Sequence, residues 1–235
     1  GAHLTIRRFR RRPCTLADFQ VGEAAASLLS GAVAAGRNIV VAGGTSTGKT
    51  TLVNVLAGAI DATERVVTIE ETAELALPGP HVVRLEARPA NAEGVGAVTV
   101  RDLVRTSLRM RPDRIIVGEV RGGEALDLLL ALNTGHAGSL ATVHANRAAD
   151  ALARLETLTL MAGVGLPHAA IRAQIGSAVD LVVTVARDHD GSRRVVEVGE
   201  VSPDGGSVHP MTILRDGELA VVDRPRRPGR RLVRR

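Results

Sequence analysis

Residues 43–50 read Gly43-Gly44-Thr45-Ser46-Thr47-Gly48-Lys49-Thr50, the Walker A pattern G-x-x-x-x-G-K-[ST]. A loop of this kind demands a buried strand before it and a helix directly after it. Both are legible. Residues 38–42, Asn-Ile-Val-Val-Ala, form a short apolar, β-branched run that reads as a buried strand. Residues 50–57 have helical spacing. Glycines let the backbone curl until several N–H groups face one phosphate. The helix start adds partial positive charge at the same spot. Lys49 is a compact cation able to reach the β- and γ-phosphates, and Thr50 offers a hydroxyl to Mg²⁺. The expected ligand is a nucleoside triphosphate with Mg²⁺, held by Gly43, Gly44, Thr45, Ser46, Thr47, Gly48, Lys49, Thr50 and Thr51.

A chain of 235 residues allows one large or two small domains with a real core. It has no Trp or Tyr and only Phe9 and Phe19, so Leu, Val, Ile and Ala must fill that core. Cys14 is the single cysteine, which excludes an intrachain disulfide and a cysteine zinc cluster and fits a reducing compartment. The longest apolar candidate for a membrane span, residues 24–35, is short, carries Ser and Gly, and stops at Arg37. Gly1 takes the place of an initiator Met, so the chain reads as a fragment. The net charge of +5 is concentrated at the ends, in Arg7, Arg8, Arg10, Arg11 and Arg12 and in seven arginines after residue 223. Attraction to nucleic acid or an anionic membrane is one reading. A linker and a solvated tail is the other, preferred for the tail given Pro225, Pro228 and Gly229.

The expected organisation is a basic linker (1–15), a phosphate-loop domain (16–188), a β-hairpin-like extension (189–222) and a basic tail (223–235). Residues 15–36 look helical, with breaks near Gly22 and Gly31. Val66–Ile69 and His81–Glu86 read as strands, and residues 87–96 as a loop. Thr99 and Asp102 resemble a capping box for a helix running to Met110. Strands at 114–117, 139–144 and 181–186 alternate with helices at 124–133, 148–161 and 167–178. Such alternation implies an α/β fold: a mainly parallel sheet covered by helices on both faces.

Ile115-Ile116-Val117-Gly118-Glu119 is an apolar strand ending in a carboxylate, the form of a Walker B element. An open α/β sheet places its ligands at that end. Glu119 there can hold the Mg²⁺ shell, directly or through water, or polarise an attacking water. Glu70 and Glu71 end another strand and could orient water, bind the metal through water, or merely face solvent. His136 and His144 could sense a γ-phosphate or be satisfied structural histidines. Arg101, Arg105 and Arg109 share one helix face, with Arg111, Arg114 and Arg121 following. Arginine clusters suit phosphate recognition and trans-acting fingers, or equally a solvated basic face or ion pairs.

The run Arg109-Met110-Arg111-Pro112-Asp113-Arg114-Ile115-Ile116-Val117-Gly118-Glu119-Val120-Arg121-Gly122-Gly123-Glu124-Ala125 resembles the secretion-system traffic ATPases of type II and type IV secretion and type IV pilus assembly. Residues 133–146 look like their histidine box and residues 67–75 like their aspartate box. The wording is most similar to the tight-adherence (Flp) pilus branch, and the match covers roughly residues 4–200. The resemblance implies a RecA-like domain in a homo-hexameric ring, cytoplasmic and peripheral at the inner membrane. There ATP hydrolysis would drive pilus assembly or protein secretion through an inner-membrane platform protein, with no specific nucleic acid. It implies that Lys49 and Thr50 bind phosphate and Mg²⁺, Glu119 is the Walker B acid, and Glu70 is a candidate for activating water. His136 and His144 take the histidine-box positions. Arg7 falls in a segment resembling the interdomain linker, where basic residues approach the nucleotide. Arg101, Arg105, Arg109 and Arg121 are candidate trans or sensor arginines.

Three departures from the family pattern stand out. Ser46-Thr47 replaces Gly-Ser, so Ser46 is strained if that position needs a positive φ. Glu71 stands where Asp is usual, and the chain reads as a piece that lacks the family's N-terminal domain and is therefore expected to hydrolyse ATP poorly. Among rivals, a RecA-type nucleic-acid motor fits the basic charge, but two Phe build little of a base-stacking platform. A GTP switch lacks its Asn-Lys-x-Asp reader, and a transporter ATPase lacks its Leu-Ser-Gly-Gly-Gln signature. A non-hydrolysing scaffold would have little use for an intact Lys49 and Glu119.

Overall fold

The computed structural model describes Leu4 and residues 14–215 and 218–223. Arg7, most of the expected basic linker, and the basic tail after Asp223 lie outside the described residues. After one 3₁₀ turn (Leu16–Phe19) come α1 (Glu23–Ala34), β1 (Ile39–Gly43), α2 (Lys49–Ala57), β2 (Val66–Glu70) and β3 (Val82–Glu86). Next are α3 (Val100–Ser107), β4 (Arg114–Val120), α4 (Glu124–Asn133), β5 (Leu140–His144), α5 (Ala148–Leu160) and α6 (His168–Ala178). The described chain ends with β6 (Leu181–Arg187), β7 (Arg193–Val201), β8 (Val208–Pro210), β9 (Thr212–Arg215) and β10 (Glu218–Val221).

Eight strands form one sheet in the order β3-β2-β4-β5-β1-β6-β7-β8. The first six are mutually parallel, while β7 and β8 are antiparallel. Alternate residues of each central strand feed opposite cores. Val40 and Ala42, Val67 and Ile69, and Ile115 and Val117 meet the side covered by α3–α6. Ile39, Val41, Ile116, Leu181 and Val183 meet the side covered by α1 and α2, where Phe19 is the one buried phenyl ring among the described residues. Burial on both faces explains why these strands read as unbroken apolar runs. This is the RecA-like arrangement, with helices on both faces of a mainly parallel sheet.

Local chemistry accounts for the boundaries. The Thr99 amide donates to Asp102 Oδ2 at 3.0 Å, and Thr99 Oγ1 accepts from the Asp102 amide at 3.1 Å, so α3 starts on a reciprocal cap. Its last turn tightens to 3₁₀ at Leu108–Met110 instead of continuing as α-helix. The helix before β1 breaks at Gly22 as expected but runs through Gly31. Gly31 faces solvent, and the burial of Leu29, Ala32 and Val33 around it outweighs the ~1 kcal/mol that a mid-helix glycine costs. The C-terminal strands, expected as a hairpin-like extension, divide between two sheets. β7 and β8 extend the main sheet, and only β9 and β10 form a separate two-stranded one. Pro210 is tolerated because β8 is an edge strand.

Arg114, for which phosphate recognition and ion pairing stood equally open, is fully buried at the start of β4. Its Nε and Nη2 donate to the two oxygens of Glu64 at 2.6 and 2.8 Å, and Nη1 donates to Val33 O at 2.7 Å. The planar fork matches the carboxylate and ties β4 to the end of α1. Its role is structural.

Candidate functional site

β1 has β5 on one side and β6 on the other, and the chain leaves it for β2, three positions away. The carboxyl ends of β1, β5, β4 and β2 therefore open on one crevice, which is where such sheets place ligands. Glu70 and Glu119 both reach this edge.

At the end of β1 the loop rises into α2. Ser46 has φ 59°, the strained conformation anticipated for a serine at this position, and Gly48 has φ 97°. Lys49 Nζ donates to Gly43 O at 3.0 Å and to Gly44 O at 2.9 Å. The ammonium thus sits inside the loop whose amides would surround a phosphate. Burial pulls the Lys49 pKa below the usual lysine value, the nearby Glu119 carboxylate partly restores it, and Arg121 lowers it again. Thr47 Oγ1 donates to Gly44 O at 3.0 Å and braces the loop. Thr50 and Thr51 lie half-buried in the first turn of α2.

Glu119 is aimed by a bulge. β4 and β5 pair Val117 with Ala141 but Val120 with Val143, so β4 carries one extra residue there. Thr142 Oγ1 donates to Gly118 O at 2.6 Å and satisfies a carbonyl displaced from the ladder. On the next strand Glu70 leans across Gly118: a Cβ there would come within 2.9 Å of Glu70 Cγ. Only glycine lets the two acidic strand ends approach this closely. Glu70 is 4% exposed, and its Oε1 accepts from the amides of Glu74 and Leu75 at 2.9 Å each. Burial raises the Glu70 pKa, and those two amides partly offset the rise. Glu119 is half-buried and accepts from Arg121 Nε at 2.8 Å, while Arg121 Nη1 also binds Glu71.

The histidines separate. His144 ends β5, in register with Gly43 and exposed beside the loop. His136 precedes the opposite end of β5, with its Nδ1 3.2 Å from Ala131 O at the end of α4. Within one chain the fold does not bring His136 to the phosphate loop. The arginines separate too. Arg101 and Arg105 both grip Asp127 of α4, at 2.6 and 2.7 Å. Arg121 binds the acids, and Arg109 is exposed with no ion pair among the described residues.

Several site residues lay outside the sequence reading. A Cβ on Gly44 would lie 3.5 Å from Asn146 Oδ1, so Asn146 borders the loop. Its place two residues after His144 was the available signal. Glu124 Oε1 accepts from the Arg121 and Gly122 amides at 2.6 and 2.8 Å and shapes the turn after Glu119. Arg193 of β7 donates from Nη1 to Thr51 Oγ1 at 3.3 Å. Nothing in local spacing marks it.

The family model described as Type II/IV secretion system protein matches residues 1–211. The chain belongs to this family. A Mycobacterium tuberculosis protein bearing a conjugal-transfer name is 49% identical over 193 residues, 82% of this chain and 54% of its own length. Type IV secretion system protein PtlH of Bordetella pertussis is 45% identical over 174 residues, 71% of this chain and 51% of its own length. Among solved structures, the VirB11 ATPase of the Brucella suis type IV secretion system, crystallised with sulphate, superposes with a TM-score of 0.67 at 38% identity. That match covers 76% of this chain and 52% of VirB11. The chain spans about half the length of the curated relatives it matches. No helix of the described residues in this family member is long and apolar enough to cross a membrane.

Proposed function

We propose that the chain is the nucleotide-hydrolysing part of an ATP-driven secretion motor. One observation carries this reading: a lysine-bearing phosphate loop and two strand-end acids, Glu119 and Glu70, converge on a single crevice, with Glu70 packed on Gly118. Membership of the secretion family and the sulphate found with the related VirB11 ATPase support it.

In the proposed reaction a water oxygen bonds to the γ-phosphorus of ATP. The bond from that phosphorus to the β–γ bridging oxygen breaks, and its electron pair leaves with ADP. Glu70 is the proposed acceptor of the water's proton, because its burial raises its affinity for one. Lys49 and the loop amides would hold the β- and γ-phosphates. Thr50 and Glu119 supply hard oxygen donors that fit Mg²⁺, Glu119 directly or through a bound water. When bound, Mg²⁺ would neutralise charge gathering on the phosphates.

The motor is proposed to be a homo-hexamer, peripheral at the cytoplasmic face of the inner membrane and working against a membrane platform protein. His144 and Arg109, both exposed, are the residues left to meet a neighbouring subunit. The narrower reading, a pilus motor of the tight-adherence kind, rests on motif wording alone, since the relatives carry conjugal-transfer and type IV secretion names. The test is steady-state ATPase turnover together with sedimentation in ATP. Turnover lost in Lys49→Ala and Glu119→Gln, with folding intact and a six-fold assembly, is the expected result. A folded protein without turnover would make it a scaffold, and DNA-stimulated turnover would make it a nucleic-acid motor.

A further inference from the structure

We propose that Arg193 is a nucleotide-binding residue that holds the phosphate nearest the nucleoside. This rests on the reading of the crevice as an ATP site.

Arg193 opens β7, directly after the turn that returns the chain from β6. That turn is well braced: the Asp188 amide donates to Ser192 O at 2.9 Å, and Arg194 pairs with Asp188 at 3.1 Å. Neighbouring side chains on a strand point to opposite sides. With Arg194 committed to the turn, Arg193 is directed at the phosphate loop. Its stem lies against Gly48, where a Cβ would come within 2.7 Å of Arg193 Cδ and 3.0 Å of Nε. Its guanidinium reaches Thr51 Oγ1, in the first turn of α2.

Electrostatically this is a poor place for a cation. The N-terminus of a helix repels positive charge, and Lys49 is already there. Among the described residues no carboxylate forms an ion pair with Arg193. Among the described residues its side chain hydrogen-bonds only a neutral hydroxyl. An anion arriving at the loop would supply what the protein withholds, and a guanidinium binds phosphate oxygens well.

Strand order decides which phosphate. Both acids stand on the β5 side of β1, at the ends of β4 and β2. The γ-phosphate must point that way for water to attack it beside them. The nucleoside end then leaves on the other side, over β6 and β7, where Arg193 waits beside Thr51.

The experiment is titration of ATP and ADP into the whole chain and into Arg193→Ala and Arg193→Lys, with KM, kcat and melting temperature measured alongside. Arg193→Ala is expected to weaken ATP and ADP by the same factor, roughly tenfold for a lost charge-assisted contact. KM should rise by that factor and by more than kcat changes, and lysine should recover part of the loss. Without nucleotide the alanine variant should melt no lower than its parent, because it removes a cation from a helix N-terminus. ADP affinity equal to the parent's would overturn the proposal. So would a loss confined to ATP, or a drop in melting temperature with ADP affinity preserved. If the unaltered chain bound neither nucleotide, the ATP-site reading itself would fall. Normal binding abolished by Lys49→Ala but untouched at Arg193 would sink this inference alone.

Discussion

Arg121 holds Glu119 in its own chain: the guanidinium donates to Glu119 from Nε at 2.8 Å and again from Nη2, while Nη1 takes Glu71. The strand-end acid proposed to serve the metal is thus bound by a cation two residues further on. The hydrogen bond to Glu119 is also the main reason the Arg121 pKa rises. At 57% exposure of the arginine side chain, the pair contributes at most ~1 kcal/mol and is screened by salt.

Removing that competitor should free Glu119. Arg121→Gln is expected to tighten Mg²⁺–ATP binding about two- to fivefold at low ionic strength, the scale of an exposed ion pair. The gain should fade in high salt. Calorimetric titration at two salt concentrations checks this. Weaker binding in the variant would instead make Arg121 a direct ligand contact.

Lys49 is the only lysine in the chain, so amine chemistry can follow it apart from the terminal amine. Burial sets its pKa below the ordinary 10.5. Below that lowered value the lysine is charged both folded and unfolded, and the cost of burying the charge is fully present. Between it and 10.5 the unfolded chain binds more protons, so stability rises with pH. Phosphate binding needs the charged form, so nucleotide affinity should begin to fall at a lower pH than for an exposed lysine. Labelling by an amine-reactive reagent across alkaline pH reads the titration, and ATP should slow it. A Lys49 titration at or above the ordinary value would refute the assignment.

Glu70 shows the opposite sign. Its folded pKa lies above 4.5 because the carboxylate is buried. Between 4.5 and that raised value the folded chain binds more protons, so stability falls as pH rises. Glu70→Gln keeps an oxygen for the Glu74 and Leu75 amides and removes the buried charge. It should lose turnover yet melt no lower than the parent at neutral pH. Glu70→Ala, which strands both amides, should cost about 1–3 kcal/mol. Melting curves at several pH values and an ATPase assay separate the two. Full turnover in Glu70→Gln would end its candidacy as proton acceptor.

Much of this was legible in the sequence, for physical reasons. Apolar runs buried on both faces gave the central strands, and the phosphate loop and Glu119 follow from local spacing. What could not be read depends on contacts distant in sequence. Gly118 is required by Glu70, 48 positions away, and by a bulge that one strand alone cannot reveal. Arg101 and Arg105 share a helix face as expected, but that face meets Asp127. Arg193 lies 142 positions from Thr51. The short edge strand β8 has three residues ending in Pro210, too little for a period-two signal.

Ser46 offers a final check, because the loop holds it at φ 59° with its side chain exposed. The left-handed region costs an L-residue ~1–2 kcal/mol through its Cβ. Glycine removes that strain but gains ~0.5–1 kcal/mol of unfolded-state freedom. Ser46→Gly should therefore stabilise the chain by about 0.5–1 kcal/mol, a rise of roughly 1–4 °C in Tm for a chain this size. The serine hydroxyl makes no hydrogen bond among the described residues, so the substitution forfeits little. A β-branched valine at the same position should lose stability, since the left-handed region disfavours it further. Nucleotide affinity in Ser46→Gly should stay within about twofold of the parent, because the backbone amides that line the loop are unchanged. A lower Tm for glycine than for serine would mean that the positive φ at this position carries no strain.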